Sequence, residues 1–251
     1  MVSVLGLGTV KLGRNRGLKL AGSFELPDDA AAHALLDAAA ESGVNLLDTA
    51  PAYGVAERRL GTLLAQRGDR DRWVIVTKAG EEFDGERSRF DFSAGAVTAS
   101  VERSLSSLGV ERLAAVLLHS DGDDRAVIEE SGGLAALERL RERGDVGLVG
   151  VSTKTVEGAM LAAQRCGVVM LTAHPGHVEE EPAAAAAGER GAAVLVKKPV
   201  RSGRSADPAG DIAYAATRRG VTSVVVGTIN PEHLRANARA ASAAAAAQAG
   251  A

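Results

Sequence analysis

Cysteine occurs once in this chain of 251 residues, at Cys166, which rules out an internal disulfide framework and suits a reducing compartment. No acid or base pattern surrounds it, so its expected role is that of a buried core thiol. Aromatic residues make up only 3% of the chain and lysine is confined to six positions, Lys11, Lys19, Lys78, Lys154, Lys197 and Lys198, so each stands out. The formal net charge is −3 and no basic run stands out, so nothing in the sequence suggests nucleic acid or an anionic membrane surface as a partner. No stretch reaches the roughly 18 apolar residues of a membrane span. The opening Met1-Val-Ser-Val-Leu-Gly lacks both a charged start and a long apolar core, so no signal peptide is indicated and a cytoplasmic location is expected.

Hydrophobic residues make up 46% of the chain, enough for a large core in one domain. Short β-branched or apolar runs recur at 2–7, 44–47, 73–77, 114–118, 146–151, 168–171, 193–196 and 223–226. Between them apolar residues are spaced near 3.6, at 28–41, 56–66, 93–108, 134–143, 155–165, 182–190 and 211–219, and a last helix follows Pro231. Pro27-Asp-Asp and Asn230-Pro-Glu read as helix starts. Gly43, Gly68, Gly109, Gly144, Gly167, Gly191 and Gly220 read as left-handed stops. Eight strands alternating with eight helices is the arithmetic of a closed (β/α)₈ barrel. The barrel is expected over residues 1–239, with an alanine-rich tail over 240–251. Gly6-Leu-Gly8-Thr-Val-Lys-Leu-Gly13 resembles a dinucleotide-binding glycine turn, but its third glycine comes too late and residues 12–22 show no helix pattern. It is read as the first strand and its loop.

The chemistry gathers at strand ends, where a parallel α/β protein stays open because helices cover the sheet faces. Val44-Asn-Leu-Leu runs into Asp48-Thr-Ala-Pro-Ala-Tyr53-Gly, placing a carboxylate and a phenol on one rim. The next two strands end in Lys78 and His119. A phenol is a weak acid, with a reference pKa of about 10. A neighbouring ammonium is expected to lower that value, with an aspartate holding the ammonium and a histidine orienting a carbonyl oxygen. Such a set suits protonation of an oxygen as negative charge grows on it, and a hydride would have to come from a cofactor. Two other readings stay open on these residues. Lys78 could form a Schiff base in a lyase, or the barrel could bind a nucleotide without turnover.

The chain resembles the aldo-keto reductases over nearly its whole length. The resemblance rests on Gly6–Gly13, Leu47-Asp-Thr-Ala-Pro-Ala-Tyr-Gly54, Thr77-Lys78, Leu117-Leu-His119, Gly147-Leu-Val-Gly-Val-Ser152, Lys198-Pro-Val-Arg-Ser-Gly203 and Gly227-Thr-Ile-Asn-Pro-Glu-His-Leu-Arg-Ala-Asn237. It implies that Asp48, Tyr53, Lys78 and His119 are the catalytic tetrad, with Tyr53 the general acid in reduction of a small aldehyde or ketone. It also implies NADP or NAD extended over the C-terminal rim, held by Ser152, Thr153, Lys198, Pro199, Ser202, Gly203, Gly227, Thr228, Asn230, His233 and Asn237. The chain departs from the family pattern around the cofactor. Thr153 follows Ser152 where asparagine is common, Met170 stands for a glutamine, and Lys197 or Lys198 stands for an aromatic that stacks on nicotinamide. The strand 8 loop offers Gly227, Thr228 and His233 where Lys-Ser and Arg often hold a 2′-phosphate, and Arg235 and Asn237 remain. A chain this short leaves room for only a shallow or open substrate site.

His174-Pro-Gly-His177 with Glu179–Glu181 lacks metal-ligand spacing, so no metal is expected, although His174 could face the site. Arg201-Ser-Gly-Arg204, after strand 7, lies where barrels bind phosphate. The loop 80–92 carries Phe83, Phe90 and Phe92, suited either to covering the site or to anchoring the loop. Neither the substrate nor the oligomeric state is legible.

Overall fold

The computed structural model describes residues 1–18 and 22–250. Lys19 and residues 20–21, inside the loop read at 12–22, and Ala251 of the tail lie outside the described residues.

Eight parallel strands close into a barrel. In chain order the strands are β1 (Leu5–Gly8), β2 (Leu46–Asp48), β3 (Val74–Ala79), the hairpin pair β4 (Glu81–Phe83) and β5 (Ser88–Phe90), β6 (Leu113–His119), β7 (Val146–Ser152), β8 (Val168–Thr172), β9 (Ala193–Lys197) and β10 (Ser223–Val226). The barrel runs β1-β10-β9-β8-β7-β6-β3-β2, and β4–β5 stand apart as an antiparallel hairpin. Outside lie α1 (Asp29–Glu41), α2 (Ala56–Arg67), α3 (Ala94–Leu108), α4 (Asp124–Glu129), α5 (Gly133–Arg143), α6 (Val156–Arg165), α7 (Glu181–Glu189), α8 (Pro208–Ala216) and α9 (Pro231–Ala249). Among the described residues no helix is long and apolar enough to cross a membrane.

Two cores follow from the two-residue period of the strands. Leu46, Val76, Ala115, Leu117, Val168, Met170, Leu195 and Val225 fill the barrel lumen. Their strand neighbours Leu47, Ile75, Val116, Leu118, Val169, Val194 and Val196 face the helices. A fully buried leucine such as Leu47 contributes about 1.5–3 kcal/mol on leaving water. Continuing the inward alternation upward, the next lumen-facing positions are Asp48, Lys78, His119 and Lys197. The polar groups therefore replace the top layer of the lumen core.

The helix boundaries follow their caps. Asp28 accepts from Ala31 N and Asn230 accepts from Glu232 N and His233 N, as Pro27-Asp-Asp and Asn230-Pro-Glu suggest. Six of the seven glycines read as stops are left-handed; Gly167 is not. There α6 ends in extended Cys166 and the chain passes straight toward β8, with Gly167 N donating to Val149 O. α8 starts three residues earlier than the apolar spacing indicates, because Asp207 caps Gly210 N and Pro208 opens the first turn. The alanine-rich stretch continues α9 to Ala249, with Ala241 buried.

Gly13 and Gly54 allow the β1 loop to meet the turn that carries Tyr53. A Cβ on Gly13 would fall 2.1 Å from Ala56 N, and Gly54 takes φ +65 with Gly13 O 2.4 Å from its would-be Cβ. Gly13→Ala is expected to cost about 1–3 kcal/mol, read as a lower urea midpoint at unchanged slope. An unchanged midpoint would show that the two loops are not in forced contact.

Candidate active site

β2 delivers Asp48 at its end. Thr9 pins the backbone of that residue, with its N and Oγ1 both donating to Asp48 O at 2.8 and 3.0 Å. Lys78 on β3 donates through Nζ to Asp48 Oδ1 at 2.6 Å and to Thr49 O at 2.9 Å, and its side chain is 1% exposed. Burial opposes the ammonium, but Asp48 and Tyr53 outweigh burial and hold the amine above its ordinary value. Lys78 is thus a fixed cation.

Tyr53 ends a 3-10 turn, Pro51–Tyr53, and Lys78 Nζ lies 4.7 Å from its ring centroid. The expectation of a lowered phenol pKa does not hold. Burial raises it, Lys78 pulls it down, Asp48 pushes it up again, and the result is about 12. Desolvation of a phenolate outweighs one ammonium that is already neutralised by a carboxylate. Tyr53 therefore keeps its proton across neutral pH.

His119 closes β6 and meets the Tyr53 ring edge-on, with centroids 6.3 Å apart. Its Nδ1 lies 2.7 Å from Glu81 Oε2, although the contact departs from a linear hydrogen bond. Burial lowers the His119 pKa, Glu81 raises it, and the net direction is down. Glu81 is held near 2 because His119 and Ser88 overcome its burial. At neutral pH the pair is thus a carboxylate against a neutral imidazole. Glu81 has no place in the motif reading. The signal was present in Lys78-Ala-Gly80-Glu81, where a left-handed Gly80 (φ +93) turns the chain back over the rim.

These four residues line one cavity of about 310 Å³ at the C-terminal end of the barrel. Ser152, Lys198, Pro199, Ser202, Gly203 and Gly227 line it too. The other residues named for the cofactor do not. Thr153 is buried, with N and Oγ1 directed at Met170 O. Thr228 Oγ1 accepts from Asn230 N, and the Asn230 side chain serves as the α9 cap. His233 is exposed on α9 and Asn237 is largely buried there. Arg235 is paired with Glu41 and Glu232.

The sequence matches the Aldo/keto reductase family over residues 4–206. The chain belongs to that family. Among its solved relatives, a Pseudomonas aeruginosa protein assigned to the aldo-keto reductases superposes with a TM-score of 0.87 at 42% identity, covering 97% of this chain and 90% of that one. The holo form of an aldo-keto reductase from Bacillus halodurans shares the fold with a TM-score of 0.74 at 23% identity. The D-threo-aldose 1-dehydrogenase of a Pseudomonas species is 28% identical over 73% of this chain and 60% of its own length. The 6-dehydroglucose reductase of Agrobacterium fabrum is 36% identical over 52% of this chain and 48% of its own. The chain thus spans about half to three fifths of the length of these two curated relatives.

Two groups that the sequence left open as neighbours of the site fall outside the cavity. His174 does not line the cavity; its Nδ1 accepts from Gly176 N while His177 Nε2 meets Glu180 at 2.7 Å. No group of three metal-ligating side chains occurs among the described residues. None of the three phenylalanines of loop 80–92 lines the cavity, and Phe90 is exposed. Phe83 lies under the Arg14 guanidinium at 3.5 Å, and Phe92 fills the space that a side chain on Gly80 would need.

Lys78→Met leaves the Asp48 carboxylate buried without its cation and is expected to destabilise the fold by about 3–5 kcal/mol. Adding Asp48→Asn should restore part of that loss in chemical denaturation. Equal stability of the single and double variants would mean that the pair is not buried as described.

Proposed function

We propose that this chain is a nicotinamide-dependent oxidoreductase that reduces the carbonyl of a small aldehyde or ketone. The observation that carries the reading is the phenol of Tyr53, protonated and seated beside the buried Asp48–Lys78 pair in the cavity that His119 also lines. A bound reduced nicotinamide supplies the hydride. Tyr53 supplies the proton at the carbonyl oxygen, and Lys78 beside it stabilises the negative charge that the phenol takes on. His119 borders the same space and orients the oxygen, while Glu81 fixes the ring from behind. Removal of the phenol proton is uphill from a pKa near 12 in the free protein, so the reaction draws on the developing alkoxide, whose basicity exceeds that of the phenolate.

The loop after β9 supports an anionic cofactor segment. Lys198, Arg201 and Ser202 take φ of 55, 53 and 58, left-handed values that cost a side-chain-bearing residue about 1–2 kcal/mol each. Strain of this kind gathers where backbone must meet a ligand. Ser202 and Gly203 border the cavity, while Arg201 is held by Asp211 at 3.1 Å. Because Arg235 is already paired, we propose weak selectivity for the 2′-phosphate, so that NADPH and NADH bind within about tenfold of each other. The Schiff-base reading fits less well, since Asp48 keeps Lys78 charged and a charged amine is not a nucleophile.

Tyr53→Phe should lower turnover of a small aldehyde by at least about a hundredfold while leaving cofactor affinity within a few-fold, since the step removed is general-acid catalysis. Cofactor emission is the signal to follow. Trp73 precedes β3 at the opposite end of the barrel, where its Nε1 donates to Asp69, and it will not report on the site. Full turnover by Tyr53→Phe would overturn the mechanism, and binding without turnover in the unmodified protein would indicate a nucleotide-binding barrel.

A further inference from the structure

Five of the six lysines in the chain, Lys11, Lys78, Lys154, Lys197 and Lys198, line the 310 Å³ cavity. Among the described residues Asp48 is the one carboxylate that lines it, and it is engaged by Lys78. Lys197 is the least expected of these cations. It stands two residues beyond Leu195, which fills the lumen, so the alternation of β9 turns it inward at the level of the tetrad. Its Nζ donates to Ser152 Oγ at 3.0 Å and to the carbonyl of Thr153, both at the end of β7. Among the described residues no carboxylate lies within 4.0 Å of it. The charges that bear on it are Lys198 beside it on the chain, then Glu180 and Asp124, neither of them in contact with it, and then Lys78 across the lumen. His119, at the end of β6, feels it in turn as a neighbouring cation.

On the reading of this cavity as a nicotinamide site, we propose that Lys197 makes the site select the reduced, uncharged nicotinamide over the oxidised, cationic one. The reasoning is electrostatic. A carbonyl whose oxygen reaches Tyr53 must receive its hydride inside the same cavity, so the reactive ring shares that space with the Lys197 ammonium. The dihydronicotinamide carries no charge and the oxidised ring carries one positive charge. With a carboxylate beside Lys197 the two ring states would be nearly equivalent; without one in contact the oxidised ring meets a cation in a partly buried cavity, where water screens it less than in bulk. Lys197 is therefore a specificity-determining residue that biases the site toward the direction of reduction and toward release of the spent cofactor. Burial and Lys198 bring its pKa down to about 7, so the selection should weaken as the amine loses its proton above neutrality.

The test is calorimetric titration of the intact protein with NADP⁺, NADPH, NAD⁺ and NADH at pH 6 and pH 9. Within each pair the ratio of the oxidised to the reduced Kd cancels every contact made by the adenosine and phosphate groups. The expected ratio is at least about tenfold at pH 6, the scale of a repulsion between unit charges roughly 12 Å apart at an effective dielectric constant of roughly 20, and it should fall toward pH 9. Lys197→Met should show the low ratio at both pH values. His119 and the other four cavity lysines remain in that variant, so any pH dependence it kept would belong to them. Lys197→Arg, charged throughout, should keep the high ratio at both. A flat ratio in the unmodified protein, or an unchanged one in Lys197→Met, overturns the assignment of Lys197 while leaving the reductase reading intact. Failure of all four cofactors to bind the unmodified protein overturns the reductase reading itself, and the role of Lys197 with it.

Discussion

A buried ammonium held by a buried carboxylate is the constraint on which the rest of the site depends. Lys78 and Asp48 meet at 2.6 Å in a region almost free of solvent. Neither charge could stay there alone, because transfer of a lone ion out of water costs far more than one favourable contact returns. The pair requires β2 and β3 to be neighbours in a fixed register, with Asp48 opposite Val76 so that Lys78, two residues further on, closes over it. It also requires the β1 loop to hold the backbone of Asp48, which Thr9 does. Tyr53 is then seated by a short turn whose approach to the β1 loop needs two glycines. Packing, register and chemistry are here the same problem.

The electrostatic balance of the rim is unusual in a chain of net charge −3. Arginine supplies most of the basic residues and is spent largely on surface ion pairs with acidic neighbours, as with Arg59–Asp29 and Arg125–Glu157. The five lysines among the described residues all line the cavity. A lysine ammonium is compact, and its pKa moves readily on burial, so neighbouring lysines can sit in different protonation states. Lys78 is locked in the charged state by its carboxylate, whereas Lys197 is near balance.

Much of the architecture was legible in sequence because strands and helices alternate with little embellishment. The eight runs found by β-branched clustering all correspond to barrel strands, and the positions of Asp48, Lys78 and His119 at strand ends follow from counting. What was not legible has physical reasons. The hairpin β4–β5 hides in a charged segment, 80–92, whose alternation is weak because it covers a rim and not a core. With the hairpin hidden, Glu81 was hidden too, since only the turn at Gly80 brings it to His119. The six-residue helix α4 lies below the length at which spacing is informative. The direction of the Tyr53 pKa is not legible in sequence, because proximity to Lys78 follows from the motif whereas the larger effect, desolvation, depends on burial. Asn230 was legible as a helix start, and its side chain caps α9 as the Asn-Pro-Glu run suggests.

The central claim is direct hydride transfer to a carbonyl carbon with proton delivery from Tyr53. The most direct measurement uses reduced cofactor carrying deuterium at the transferred position, incubated with a small aldehyde and the intact protein, with the alcohol product examined by mass spectrometry. One deuterium bonded to the former carbonyl carbon, in step with cofactor oxidation, is the predicted result. An alcohol without the label, or an unconsumed aldehyde in the presence of bound cofactor, would contradict the account.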